Sequence, residues 1–290
     1  MSAACARVGF CTRVCPYCQP SWPLSLSATK EIKTKSPAAT AGLRFGTNGN
    51  AKLAKGVWHF SIASGVTCPG ASICKAMVQV KKVDGEMKRK LVEGPDATLR
   101  CFSAVQELAF PSLHAMRVNN LRLLTKAGST EKMRALILEG LSPHASMVRV
   151  HIGGDFFSQA YFDAWMETAK ARPATTFYAY TKSIPFWKNY LRRHKQLPSN
   201  FKMVASLGGK FDHLVDRKKM VWCVIVMHPE EAHAMNLPIE DSDDTLAQKA
   251  EAPFALVIHA QQKARSPAAA AIKRMRDEGT PFGYGRHKKA

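Results

Sequence analysis

Val57-Trp58-His59-Phe60-Ser61-Ile62 alternates apolar and polar positions and is rich in β-branched and aromatic residues, which predicts a strand. The strand runs into Gly65 and a turn at Cys68-Pro69-Gly70. Residues 77–90 carry the two-residue turn Asp84-Gly85 between a Val-rich and a Lys-rich arm, the signature of a hairpin. Ser103–Lys126 and Glu131–Glu139 are helical by composition and spacing. Beyond them the order becomes strand, loop, helix. Strands are predicted over Met147–Ile152, Thr176–Tyr180, Phe201–Ser206, Val221–Met227 and Phe254–Ile258, the last two as continuous apolar runs of the kind covered on both faces. Ser158 is placed to cap a helix whose Phe162, Trp165, Met166 and Ala169 form a core-facing stripe. A further helix passes through Trp187 and Leu191. Counting Val57–Ile62, this order predicts an α/β fold, a partial (β/α) barrel of about six mainly parallel strands with a hairpin insertion.

Residues 1–40 are Pro-, Ser- and Thr-rich without a sustained apolar period. They are expected to form a disordered, cysteine-containing leader ahead of one α/β domain over residues 41–290. At 290 residues, 46% hydrophobic and 22% charged, the chain can bury a sizeable core, which excludes a wholly disordered, collagen-like or coiled-coil protein. The longest apolar run, Met220–Met227, is too short to span a membrane, and a soluble protein is expected. Charge adds a partner class. Forty-two Lys and Arg against 22 acids leave a net +20, a field that attracts nucleic acid or another polyanion. It is uneven: Glu230–Glu251 holds seven acids and one Lys, while Lys81-Lys82, Lys88-Arg89-Lys90 and Arg217-Lys218-Lys219 are basic knots. Such knots are either a solvated surface or salt-dependent phosphate contacts.

In folds of this kind functional groups sit on loops at the carboxyl ends of strands. The expected rim here carries Cys68 and Cys74, then Gly153-Gly154-Asp155, Thr181-Lys182, Gly208-Gly209-Lys210, His228 and His259. No apolar signal segment precedes the first cysteines, so a reducing compartment is expected and clustered cysteines are read as metal ligands before disulfides. Cys68, Cys74 and Cys101 suit either an iron–sulfur cluster with one open iron or a zinc site completed by a fourth ligand. Cys101 stands before a helix whose N-terminus favours thiolate. Cys11, Cys15 and Cys18 form a competing triplet in the leader, without a preceding strand and with Pro20 and Pro23 after it. His151 is expected inside a strand, either as a core histidine or facing the barrel interior. Tyr178 and Tyr180 share a strand face, Lys182 beyond them is a candidate contact for phosphate or carboxylate, and Cys223 reads as an inert buried thiol.

Cys68-Pro-Gly-Ala71, Cys74, Arg100-Cys101-Phe102, Gly154-Asp-Phe-Phe-Ser158 with Ala164-Trp165, and Phe177-Tyr-Ala-Tyr-Thr-Lys182 together resemble the phage gene-product-88 family, over residues about 48–259. The resemblance implies a phage or prophage protein working in the cytoplasm of a bacterial host, and says little about chemistry. A more distant likeness is to radical S-adenosylmethionine enzymes, partial barrels with a three-cysteine 4Fe-4S cluster and a Gly-Gly-acid motif after the second strand. That likeness implies cluster ligation by Cys68, Cys74 and Cys101, with Gly153, Gly154 and Asp155 receiving S-adenosylmethionine. Here Asp replaces the commoner Glu, and the cysteine spacing departs from the compact motif. Two readings follow: an iron–sulfur enzyme acting on nucleic acid or nucleotides, or a non-enzymatic nucleic-acid-binding protein of phage replication or regulation with a structural zinc.

Overall fold

A computed structural model of the chain describes residues 42–47, 53–54, 56–240 and 243–280. The leader and its four cysteines lie outside the described residues. Six strands, β1 (Trp58–Phe60), β4 (Met147–Val150), β5 (Thr176–Thr181), β6 (Phe201–Ser206), β7 (Trp222–Val226) and β8 (Phe254–Val257), form one sheet in the order β1-β4-β5-β6-β7-β8. Every pairing in it is parallel. Each of these strands is laid beside its predecessor and the order never reverses. Right-handed crossovers therefore all fall on one side, and the sheet curls into an open barrel instead of a doubly wound sheet. The fold class read from the sequence is the one observed.

Side-chain alternation sets the layers. Val148 and Val150, Phe177 and Ala179, and Phe201, Met203 and Ala205 point outward into the main core, against α3 (Thr130–Gly140), α4 (Gln159–Ala171) and α5 (Ile184–His194). Trp165 of α4 anchors that layer, with Phe60 and Phe177 ring centroids 5.5 and 6.2 Å away in edge-on contact. Such pairs contribute about 0.5–1.5 kcal/mol each beyond their burial. The inner positions Tyr178, Val204, Cys223 and Phe254 close instead over the short helix α7 (Thr245–Lys249), which fills the barrel interior.

Between β1 and β4 the chain makes an excursion. β2 (Ala76–Val83) and β3 (Glu86–Glu93) form a separate antiparallel ribbon, longer than the expected 77–90. Its turn residues Asp84 and Gly85 have φ of 52° and 83°, the paired positive angles that a tight two-residue hairpin needs. The helix expected over Ser103–Lys126 is two helices, α1 (Phe102–Ala109) and α2 (Pro111–Ala127). Pro111 offers no N–H and pushes Phe110 to φ −118°, ψ 96°, so the chain turns there. Helices α6 (Pro229–Ala234) and α8 (Pro267–Asp277) complete the order. No helix among the described residues is long and apolar enough to cross a membrane.

Candidate functional site

A cavity of about 180 Å³ opens at the carboxyl rim of the sheet. Cys68, Cys74 and Cys101 border it, with Gly154, Asp155 and Lys182 on the facing loops. Short polar ties bring these loops together. The loop after β1 is fastened to the loop after β6 where Lys210 N–H donates to Gly70 O at 2.9 Å and Ile73 N–H to Gly208 O at 3.3 Å. Gly70 also lies so close to the β5 loop that a Cβ there would stand 2.0 Å from Lys182 O, so no side chain is tolerated. Gly154 has φ +87°, and a Cβ on it would meet Ile62 at 2.5 Å and Thr67 at 2.7 Å. Glycine at 154 thus lets the β4 loop lie against the cysteine-bearing segment.

The three thiols are free of disulfides. Burial raises the pKa of Cys68, and the charges of Asp155 and Cys101 add to the rise. Burial likewise raises Cys74. Cys101 goes up to about 11, by burial first and then by Cys74, against the N–H groups of Ala104 and Ser103 at the start of α1. The expected thiolate-favouring helix end is present, but burial outweighs it, and the thiols are protonated at neutral pH. Among the described residues no group of three or more His, Cys, Asp or Glu side chains stands in place to hold a metal ion. The cysteines share a cavity without forming a ligand cage.

Asp155 is buried and committed. Its Oδ1 accepts from Phe156 N–H at 2.7 Å and from the Thr181 hydroxyl at 2.6 Å, and its Oδ2 from Lys182 N–H at 2.9 Å. The Ser183 hydroxyl is a fourth partner, so the roughly four acceptor sites of the carboxylate are all met within the chain. Burial lifts the pKa of Asp155 above the ordinary carboxylate value in spite of these bonds. Lys182 is more fully occupied. Its Nζ donates to Ser206 O, to Ser206 Oγ and to Leu207 O, which accounts for all three hydrogens. In this conformation Lys182 ties β5 to the end of β6 and has no N–H left for an anionic ligand.

His151 borders the same cavity, but not as alternation along a strand predicts. β4 ends at Val150, and His151 has φ +68°, which takes it out of the pleat. Its Nε2 lies 2.9 Å from the Tyr161 hydroxyl, and its ring packs edge-on against Phe156. Burial first, and Arg149 second, hold its pKa down at about 3, so the ring is neutral. Deeper in the barrel Arg149 pairs with Asp244, whose carboxylate also accepts from the Tyr178 and Tyr180 hydroxyls at 3.2 Å. The shared face predicted for the two tyrosines thus serves a buried carboxylate.

A second polar layer, absent from the sequence reading, stands behind Cys101. Glu107 of α1 accepts from Ser64 N–H at 2.9 Å, Ser64 Oγ at 2.8 Å and Arg117 Nη1 at 2.9 Å, and lies 3.2 Å from His114 Nδ1. Burial alone would raise the pKa of Glu107, but the His114 hydrogen bond, the Arg117 charge and Ser64 bring it below its ordinary value. Arg117 also reaches Ser103 Oγ at 2.6 Å, joining α2 to the residue two beyond Cys101. The spacing of Glu107 and His114, seven residues apart, was the available signal. Helical charges at that spacing read as solvent-facing until α2 folds back on α1.

Compared with known proteins, residues 22–277 match the family described as Gene product 88. The match reaches further toward both ends than the stretch of about 48–259 that carries the recognisable motifs. No curated protein and no solved structure matches, so the more distant likeness to radical S-adenosylmethionine enzymes gains no support from these comparisons.

Proposed function

The chain belongs to the gene product 88 family, and from that premise we propose that it is a phage iron–sulfur protein that binds its cluster and S-adenosylmethionine at the carboxyl rim of the open barrel. One observation carries this reading: Cys68 and Cys74 of one loop and Cys101 from beyond the ribbon border one cavity together with Gly154 and Asp155. The donor set fits such a group. Three soft sulfurs face the same space, and the burial that keeps them protonated is a cost that a positively charged metal centre removes. Cys68, Cys74 and Cys101 would hold a 4Fe-4S cluster, which would supply an electron to the bound S-adenosylmethionine.

The chain's own residues do the rest. Asp155 receives the ammonium group of the ligand in exchange for the Ser183 hydroxyl, and its bonds to Phe156, Thr181 and Lys182 keep the carboxylate from turning away. Gly154 lets backbone approach that group closely. Lys182 holds the β5 and β6 loops together as the wall of the site. His151, neutral and buried, keeps charge off the wall beside Arg149. The host cytoplasm, being reducing, keeps the thiols available.

The test is anaerobic purification after expression with iron and sulfide. The wild-type chain should be brown, with about four irons per chain, and Cys68→Ala, Cys74→Ala and Cys101→Ala should each lose the colour. Deleting residues 1–40 should leave it intact. Colourless protein with one zinc per chain would favour a structural zinc in a nucleic-acid-binding protein. Loss of iron on deleting the leader alone would move the cluster to Cys11, Cys15 and Cys18.

A further inference from the structure

A second cavity of about 340 Å³ lies beside the first, between the foot of the β2–β3 ribbon and residues 262–267. Leu99, Arg100 and Gln262 border both. Their partition is a single clasp: Gln262 Oε1 accepts from Arg100 N–H at 2.7 Å, and Gln262 Nε2 donates to Arg100 O at 3.4 Å. The second cavity is basic. Arg100, Lys263 and Arg265 face it against one acid, Glu93, which already pairs with Arg100 at 2.7 Å. Lys263 and Arg265 are exposed.

The ribbon continues this charge outward. In its register Lys81 stands directly opposite Lys88, and Lys90 follows two residues along on the same face. All three are exposed, and no described carboxylate pairs with any of them. Like charges directly opposite one another destabilise a two-stranded ribbon, so this arrangement costs stability in the free protein and is relieved by an anion. Lys90 and Lys88 stand at odd offsets from Glu93, so alternation puts these lysines on the face of the ribbon opposite Glu93, roughly 10 and 17 Å along β3 from it. The cations therefore form two basic patches, one in the groove and one on the far face of the ribbon.

We propose that these two patches bind the phosphate backbone of one single-stranded nucleic acid that passes over the edge of the ribbon, with Lys263 and Arg265 in the groove and Lys81, Lys88 and Lys90 on the ribbon. A single strand fits better than a duplex because it bends sharply enough to follow cations from one face of the ribbon to the other. The inference goes beyond the iron–sulfur reading and does not need a cluster. Phosphate contact would make binding strongly salt-dependent and weakly dependent on sequence.

The experiment is fluorescence anisotropy of labelled mixed-sequence single-stranded DNA and RNA 15-mers titrated with the full chain at several salt concentrations. The variants are Lys263→Ala/Arg265→Ala and Lys81→Ala/Lys88→Ala/Lys90→Ala. The control is Lys218→Ala/Lys219→Ala, which removes two charges just before β7, at the opposite rim of the sheet. Each of these two variants should bind about tenfold or more weakly, and the slope of log K against log salt should fall by about 0.7 per contact removed. The control should change less than about twofold. Three outcomes overturn the proposal: no binding by wild type at about 0.1 M salt, equal weakening by the control, or displacement of the 15-mer by equimolar ATP. Tighter binding of duplex than of single strand would also overturn it. Because anisotropy reads binding with or without iron, failure here leaves the iron–sulfur proposal standing, and a colourless protein leaves this one standing.

Discussion

Replacing Asp155 by Asn separates its architectural role from ligand binding, because the substitution keeps shape and removes charge. In the wild type, Oδ1 takes the Phe156 N–H and the Thr181 hydroxyl, and Oδ2 takes the Lys182 N–H. An amide can leave its oxygen with the first two partners. Its NH2 then faces the Lys182 N–H, donor against donor. One charge-assisted bond is lost and a buried N–H is left unpaired, a cost of about 1.5–3 kcal/mol. Burial already disfavours the charge on Asp155, which returns part of that cost and places the expectation toward the lower end. With a urea slope of about 3 kcal/mol/M for a chain of this size, the unfolding midpoint should fall by about 0.5 M. The effect should also reach the cysteines. Lys182 O sits against Gly70, so loosening residues 181–183 frees the loop that carries Cys68 and Cys74. Their reaction with a disulfide reagent in native buffer should be faster in Asp155→Asn. An unchanged midpoint together with unchanged thiol reactivity would refute the reasoning and leave the carboxylate without a structural role.

Two further perturbations follow from the same electrostatics. His151 is held neutral at about 3 in the folded chain and titrates near 6.5 when unfolded, so its contribution is complete above pH 6.5 and is lost as pH falls from there toward 3. At pH 5 that loss is about 2 kcal/mol. His151→Asn, which tolerates the positive φ, should flatten the fall in urea midpoint between pH 7 and pH 5; parallel falls in both proteins would contradict it. Glu107→Gln should destabilise by about 3 kcal/mol or more in thermal unfolding, because Arg117 is left as a buried cation. The paired replacement Glu107→Leu/Arg117→Met should recover most of the loss, and an equally unstable double variant would disprove the charge argument.

What was legible in the sequence is what burial writes into a single strand. Phe201–Ser206 was expected and is observed over the same residues, with Phe201, Met203, Val204 and Ala205 buried. Ser158 caps α4 through Tyr161 N–H as its spacing predicts. His151 escaped the alternation argument because one positive φ ends the pleat, and nothing in Val-His-Ile marks that angle. Composition favours one long helix over Ser103–Lys126, and it is the proline that marks the split at Phe110–Pro111.

The candidate site was legible in a different way. A sheet whose strands are laid down in order sends every strand-to-helix loop to one rim, so residues far apart in sequence become neighbours without pairwise information. That is why Cys68, Cys74 and Gly154 meet, and why the excursion through the ribbon returns Cys101 to them. Topology fixes which loops converge; it does not fix what their side chains spend their hydrogen bonds on. Lys182 and Asp155 were both read from their position as open to a ligand. The structure gives Lys182 three oxygen acceptors from Ser206 and Leu207 and gives Asp155 four donors, from Phe156, Thr181, Lys182 and Ser183. Polar residues on a rim have two tasks, holding the loops and meeting the ligand, and only the hydrogen-bond accounting of the folded chain divides them. By that accounting the carboxylate of Asp155 is spent as fully as the ammonium of Lys182, and the unspent chemistry of this rim lies in three protonated thiols, with exposed cations on the neighbouring ribbon and groove.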